Sequence, residues 1–394
     1  MNAFEQNPGE EFRNSILTSI PMGLLAKPAD QADAVMWLCS DQARTVTGDS
    51  AGRRGYPADK QTSRPGAAGA APHKSSRTSQ RSTYMTAHNL DFGGRVAIVT
   101  GAGQGMGRAH AKMLASRGAR VVVNDLNADN ATSAVAEITA GGGTAVADTN
   151  NVVTGAETIV QSAIDAWGQL DVVVNNAGIN AFGTFWEMDR DTWWRVFDVT
   201  VKGVVEVSRA AMPHLIASGT GRLINISSNG LMGVPLDSAY SAGKAAVWGL
   251  SIGLAAEARE VGVQVTTLMP VAWTPMTRDA FQNPVVQEAM KENVPPEAVS
   301  AFVTYLAHQD TTTYADTFEI AGVAAGRVAI AGMERVDAVA ATPEAWVEQA
   351  EALTKDGEMR VFHNASESFR DQMVHLAPEL DSVLPKDAAN VERV

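Results

Sequence analysis

Tyr240 and Lys244 stand four residues apart in "YSAGK". On a helix that spacing puts both side chains on one face. A phenol is protonated at neutral pH. A neighbouring ammonium would stabilise the phenolate, lower its pKa and make the tyrosine a usable acid and base. Tyr-x-x-x-Lys alone usually marks no more than a helix face, so its context decides. Twelve residues upstream, Ser228 closes "RLINISS", an apolar run that reads as a buried strand. At the carboxyl edge of a parallel sheet, a strand-end serine is where ligand contacts are expected.

Nearer the start of the same region stands "TGAGQGMG", Thr100 to Gly107. Glycines 101, 105 and 107 let a backbone turn tightly and approach a phosphate, and a following helix aims its N–H groups and dipole at that anion. Asp125 closes the next apolar run, "ARVVVNDL", 18 residues past Gly107. A carboxylate there accepts hydrogen bonds from an adenosine ribose and repels a 2′-phosphate. No Arg or Lys lies between Leu126 and Ala136 to neutralise such a phosphate. The pattern favours NAD, with NADP the lesser expectation.

These residues need elements to position them. "RVAIVTG", "ARVVVNDL", "TAVADTN", "LDVVVNNAG", "GRLINISS" and "VQVTTLMP" read as short, nearly continuous apolar strands separated by helical stretches, with "ADTFEIAG" a last strand. Such alternation predicts an α/β fold: one doubly wound parallel sheet (Rossmann) covered on both faces, as a single catalytic domain over residues 89–325. In the 326–394 extension, "TPEAWVEQAEAL" predicts a helix with Thr342 as N-cap and Pro343 in its first turn.

Together, Thr-Gly-x-x-x-Gly-x-Gly, "NNAG" at Asn175 to Gly178, the strand-end serine and Tyr-x-x-x-Lys resemble the short-chain dehydrogenase/reductase family over residues 90–322. The resemblance implies NAD(P)-dependent interconversion of a secondary alcohol and a ketone. Tyr240 would transfer the hydroxyl proton, Lys244 would hold the nicotinamide ribose and tune Tyr240, and Ser228 would bind the substrate oxygen. Gln104, Met106 and the three glycines would line the phosphates. Asp148 would meet the adenine. Asn176, Ala177 and Gly178 would form the cofactor floor, and Pro270 and Thr274 would sit beside the nicotinamide. The family usually carries Asn within "VNVKG"; here the stretch is "VTVKG", with Thr200 in that place. The Asn holds a water that relays protons to the lysine, and Thr200 can bind a water without copying an amide. "MPVAWTPMT" together with "VVVNDL" and "PPEAVSAFVTYLAH" further resembles the dehydrogenase domains of peroxisomal-type multifunctional β-oxidation enzymes, which implies a 3-hydroxyacyl-CoA. Steroids and other secondary alcohols remain the alternative substrates. The resemblance also implies a homodimer or homotetramer, built through the helix after Tyr240 and one over Trp194 to Leu215.

The segment 1–50 reads differently. "PMGLLAKPADQADAVMWLCSDQARTVTG" resembles the carboxyl-terminal end of a second family member, without a glycine loop or a Tyr-x-x-x-Lys. It is expected to be a remnant of an adjacent gene, the enzyme proper starting near Met85; a retained docking segment is the alternative. Between them, residues 51–88 are expected to be a disordered linker. Ala51 to Tyr84 holds seven Lys/Arg against one acid and has no apolar period. A nucleic-acid patch would need interleaved aromatics, which it lacks.

The whole chain has 394 residues and a formal charge of -13, which disfavours nucleic acid and anionic membranes as partners. No apolar run is long enough for a membrane span, and the amino terminus does not read as a signal peptide. The single cysteine, Cys39, excludes an internal disulfide and suits the cytoplasm. No histidines fall at metal-ligand spacing, so no metal is assigned. Trp186 and Trp273 fall in loops at the catalytic edge and are candidates for an apolar substrate pocket; Trp193 and Trp194 read as packing. An NAD-binding sensor without catalysis is the reading from another class. Against it, a sensor needs no proton donor, yet Ser228, Tyr240 and Lys244 are all present.

Overall fold

The computed structural model describes residues 90–281, 283–312, 317–362 and 365–384. The expected remnant at 1–50 and the basic linker at 51–88 lie outside them. Within the described residues the strands and helices alternate: β1 (Val96–Thr100), α1 (Gly105–Ser116), β2 (Arg120–Asn124), α2 (Ala128–Ala140), β3 (Thr144–Asp148), α3 (Ala156–Trp167) and β4 (Val172–Asn175). There follow α4 (Arg190–Phe197), α5 (Gly203–Ser218), β5 (Arg222–Ile226), α6 (Ser238–Ala258) and β6 (Gln264–Val271). The sequence then runs through α7 (Pro275–Ala280), α8 (Pro284–Asn293), α9 (Pro296–Ala307), β7 (Thr317–Ala321) and β8 (Ala324–Val328).

Eight strands form one sheet in the order β3-β2-β1-β4-β5-β6-β7-β8. From β3 to β7 all neighbours are parallel, with Ala97 opposite Val121 on one side and Val172 on the other. Successive residues point to opposite faces. Ala97, Val99, Val121 and Val123 therefore meet α1, α2 and α9 through Leu114, Ala134 and Val303. Val96, Ile98, Val122 and Val173 meet α3, α5 and α6 through Ile159, Leu215 and Ala255. This is why the strand sequences are continuously apolar rather than alternating. Each such Val, Leu or Ile contributes about 1.5–3 kcal/mol when fully buried.

Two features depart from the sequence expectation. The sheet does not stop at β7: the chain turns at Gly322 and Val323 and returns antiparallel as β8, pairing Thr317 with Val328. The stretch expected as one helix from Trp194 to Leu215 is two helices, α4 and α5, joined by a π turn at Asp198–Lys202. Such turns carry one surplus residue and recur at functional sites.

Beyond the sheet, β9 (Ile330–Met333) and β10 (Met359–Phe362) form a separate antiparallel pair. Thr342 caps a short helix at Pro343–Val347, its Oγ1 accepting from the Ala345 N–H at 3.3 Å. No described helix is long and apolar enough to cross a membrane.

Candidate active site

The glycine loop joins β1 to α1 and is built so that no side chain could enter it. A Cβ on Gly107 would lie 2.2 Å from the Gly101 carbonyl oxygen and 2.5 Å from Asn176 Nδ2. One on Gly101, whose φ is +61°, would lie 2.9 Å from Ala177 Cα. Asn176 fixes this approach by donating from Nδ2 to the Thr100 and Gly101 carbonyls at 3.0 and 3.1 Å. The N–H groups of Asn176 and Ala177 donate in turn to Thr100 Oγ1. Loop and floor are thus one unit. Gln104 is the extended N-cap of α1, its side chain free of any cap bond, and Met106 packs on the core. The first turn of α1 points its unpaired N–H groups at the cradle, as an anion requires.

Asp125 follows β2 directly. Its Oδ2 accepts from the Gly103 N–H and its Oδ1 from the Asn127 N–H, both at 2.9 Å. Each oxygen keeps a further lone pair for a ribose. Asp148 ends β3 and is already heavily engaged. Its carboxylate accepts from Asn124 Nδ2, from the backbone and side chain of Asn150, and from Ser162 Oγ. These four contacts match the acceptor capacity of a carboxylate, so Asp148 holds the β2 and β3 ends together before any adenine arrives.

Ser228, Tyr240 and Lys244 converge at the carboxyl ends of β4, β5 and β6. Ser228 lies two residues past β5, and its Oγ accepts from the Gly230 N–H at 3.0 Å. The same hydroxyl lies 3.3 Å from Asn229 Oδ1, and its proximity acts to lower the Tyr240 phenol's pKa. Gly230 sits against both: a Cβ there would be 3.0 Å from Tyr240 Cε1 and 3.3 Å from Ser228 Oγ. Lys244, one turn along α6 from Tyr240, is buried, donates from Nζ to the Ile226 carbonyl at 2.7 Å and stands 5.4 Å from the Tyr240 ring centroid. Burial pushes its ammonium down to about 8. Gly178 faces the same group, 3.6 Å from Nζ to where its Cβ would be.

The spacing argument expected Lys244 to lower the Tyr240 pKa. The phenol is instead raised. Burial is the main cause and the Asp237 carboxylate adds to it, while the Ser228 hydrogen bond pulls the other way. Desolvation of an almost enclosed phenol outweighs an ammonium that is itself desolvated and points at a carbonyl.

Thr274 is the N-cap of α7, forming a reciprocal pair with Thr277, and its Cβ is 3.6 Å from the Cβ position of Gly105. That places it against the glycine loop, while Pro270 lies within β6 opposite Ile320. Thr200 occupies the π turn. It is buried, its Oγ1 has no hydrogen-bond partner, and its Cγ2 is 3.1 Å from where a Cβ of Gly243 on α6 would be. A buried hydroxyl without a partner suits a water, as the substituted Asn position implies.

Sequence reading passed over three features of the site. Asn175 donates to Ser208 and Asn225, and Asn225 to Ser251, forming a buried amide ladder beneath the floor. Arg108 reaches the Gly103 carbonyl at 3.3 Å while paired with Glu137 at 2.7 Å. Asp237, the residue preceding α6, is buried beside Tyr240. An acid three residues ahead of a catalytic tyrosine carries an N-cap signal, and that signal could have found it. Of the two pocket candidates, Trp186 is fully available at 80 % exposure, whereas Trp273 is partly covered, with the Lys291 ammonium 5.7 Å from its ring. Trp193 packs as expected, stacked on Phe197, but Trp194 is half exposed.

The chain matches the short chain dehydrogenase family over residues 95–284. It is 40 % identical over 241 residues to the peroxisomal multifunctional enzyme A of Dictyostelium discoideum, covering 59 % of this chain and 53 % of that one. It is 38 % identical over 250 residues to a putative short-chain type dehydrogenase/reductase of Mycobacterium tuberculosis, covering 60 % and 86 %. Among solved structures, a short chain dehydrogenase from Mycobacterium avium superimposes with a TM-score of 0.61 at 35 % identity, covering 69 % of this chain and 98 % of that one. The chain spans 53 % of the Dictyostelium enzyme, and 32 % and 26 % of the mouse and yeast multifunctional enzymes it also matches.

Proposed function

The chain belongs to the short-chain dehydrogenase family, and from that premise we propose that it is an NAD-dependent oxidoreductase interconverting a secondary alcohol and a ketone. The observation that carries this reading is the meeting of Ser228, Tyr240 and Lys244 with the glycine cradle at one sheet edge. The glycine cradle, Asp125 and the Asn176 floor would hold NAD, which would supply the hydride acceptor. The protein's own work is proton handling and orientation. Ser228 Oγ and the Tyr240 hydroxyl together hold the substrate oxygen, and the phenolate takes the hydroxyl proton as the ketone forms. In reduction, Tyr240 returns it. Lys244, held by the Ile226 carbonyl, would be a donor to the nicotinamide ribose. Thr200 Oγ1, buried and without a partner, stands where the family's Asn would hold a relay water. NAD is preferred because Asp125 accepts from the ribose hydroxyls and repels a 2′-phosphate.

The substrate class we propose is a 3-hydroxyacyl-CoA. Its support is the likeness to the multifunctional enzymes and an apolar rim on three catalytic-edge loops: Phe182 and Trp186, Met232 and Leu236, Met276 and Phe281 are all substantially exposed. Such a rim suits an acyl chain or another bulky apolar alcohol. Assembly as a homodimer or homotetramer fits α6, where Gly249 and Gly253 leave open space on an exposed face.

The test is NADH formation with a panel holding a 3-hydroxyacyl-CoA, a sterol and simple secondary alcohols, with Tyr240→Phe as the blank. One class should turn over and fall by about a thousandfold or more in the variant, since general acid–base catalysis contributes about 10²–10⁴-fold. NADH should still bind to Tyr240→Phe. Tight NADH binding without turnover of any class would favour the sensor reading and sink this one.

A further inference from the structure

Phe185 and Met188 in the loop after β4, with Arg190, Trp193 and Trp194 of α4, line a cavity of about 280 Å³. Its back wall is fixed. Trp193 stacks on Phe197, 5.7 Å between ring centroids, and its indole donates to Ser238 Oγ at 3.2 Å. Ser238 is the first residue of α6, two ahead of Tyr240. The side walls are aromatic. Phe185 meets the Trp193 ring at 6.5 Å and Trp194 meets it at 4.9 Å, both edge to face. These outer rings stay open to solvent, Phe185 at 66 % and Trp194 at 48 % exposure. Contiguous exposed apolar surface of this kind marks a binding groove. Arg190 is the one charged residue lining the cavity, and among the described residues no hydrogen bond or ion pair engages it. Of the acids beside it in sequence, Glu187 accepts from Thr184 Oγ1, Asp189 accepts from the Thr192 N–H, and Asp191 is exposed.

We propose that this cavity binds the adenosine phosphate end of a CoA substrate, the adenine lying against Phe185 and Trp194 and a phosphate meeting Arg190. This rests on the acyl-CoA reading above. The size points to one part of a larger molecule, since pockets for whole small ligands hold about 300–1,000 Å³. Aromatic walls suit a base, because stacking asks for a flat face and no particular hydrogen-bond pattern. A guanidinium without a partner suits a phosphate, which it meets with two parallel charge-assisted bonds. An acyl chain or a sterol nucleus would satisfy the rings and leave Arg190 without a counter-charge. The acyl chain belongs instead to the rim. Phe182 and Trp186 of that rim share a loop with Phe185, so one loop serves both ends of the substrate. The Trp193 bond to Ser238 then fastens the cavity to the helix that carries Tyr240.

The experiment titrates adenosine 3′,5′-bisphosphate into the full chain by calorimetry, with NADH present to fill the glycine cradle. Wild type is compared with Arg190→Gln, Trp194→Ala and Trp194→Phe. Both positions are exposed, so the variants keep the fold, which thermal unfolding checks. Wild type should bind the bisphosphate. Its Kd should rise about tenfold or more in Trp194→Ala and in Arg190→Gln, and Trp194→Phe should recover most of the affinity, because a phenyl face still stacks. A second arm compares KM for a 3-hydroxyacyl-CoA with KM for the same acyl group on N-acetylcysteamine, which lacks the adenosine phosphate. The advantage of the CoA thioester should shrink about tenfold in Trp194→Ala and Arg190→Gln. No binding by wild type, or binding equal in wild type and both variants, overturns the proposal and leaves the dehydrogenase reading standing. Binding that needs both residues, with the CoA advantage unaltered or no CoA thioester turned over, gives the cavity to a free adenine nucleotide and overturns its part in the substrate. The titration needs no turnover, so failure of the dehydrogenase reading, seen as no NADH formed from any alcohol, is read separately.

Discussion

Asp125 shows how much a single side chain does at the cofactor edge. Its two oxygens are tied to Gly103 and Asn127, so the carboxylate shapes the glycine loop while keeping lone pairs for the ribose contact proposed above. Replacing it with Ala removes an ionised acceptor, and hydrogen bonds to charged groups are worth about 1.5–3 kcal/mol, so KM for NAD should rise about tenfold or more. Turnover with NADP should appear at the same time, because the repulsion is gone and Arg108 lies beside Gly103. Unchanged NAD affinity with no gain for NADP, measured side by side, would remove Asp125 from its assigned role. This part of the site was legible in the sequence because a glycine loop, a strand and a strand-end acid occur in fixed order. Arg108 was not, since a search of the residues after Asp125 cannot see a guanidinium arriving from α1 through space. The sign of the Tyr240 shift was illegible for a related reason: four-residue spacing tells which groups share a face, not how deeply each is buried.

At the scale of elements, the apolar contact of α1 with α9 encloses one buried polar pair. His110 Nδ1 lies 2.7 Å from Ser300 Oγ, and Ser300 donates its only hydroxyl hydrogen to the Pro296 carbonyl at 2.9 Å. Nε2 of the same ring is buried without a partner. Burial pushes the ring down to about 3. Because this lies below the unfolded value of about 6.5, the pair costs nothing at pH 7 and destabilises the fold progressively as pH falls from about 6.5 toward 3. At pH 5 the loss is about 2 kcal/mol, from a gap of about 1.5 pH units. His110→Leu should lose less stability between pH 7 and 5 than wild type in urea titrations; equal losses would show that other groups carry the acid sensitivity. The strand–helix alternation that frames this contact could be read directly, since parallel strands buried on both faces must be apolar throughout. The β8 return could not: "AAGRV" lies on an edge, is largely exposed and needs no apolar pattern.

Over the whole molecule, the fold closes within residues 90–328: both core clusters and every catalytic side chain named above lie inside it. A chain begun at Met85 should accordingly keep the turnover and the unfolding temperature of the full protein to within a few degrees, roughly the shift of 1 kcal/mol in a domain this size. Failure to fold or assemble, seen by size-exclusion chromatography and thermal unfolding, would instead make the amino-terminal segment a docking element. The acidic balance of the chain belongs to the dehydrogenase portion of the sequence.

The π turn at Asp198–Lys202 bears on how this chain tolerates change in length. It holds one residue more than an α-helix would, which places α4 about 100° out of phase with α5, from 3.6 residues per turn. Deleting any one residue of the turn would let the two helices fuse into a smoother and locally more regular rod. It would also spin Trp193 away from Ser238 and carry Thr200 out from under Gly243. The irregularity is a counting device: one extra amino acid brings two helical faces into alignment with α6, and an insertion or deletion at this junction would undo that alignment.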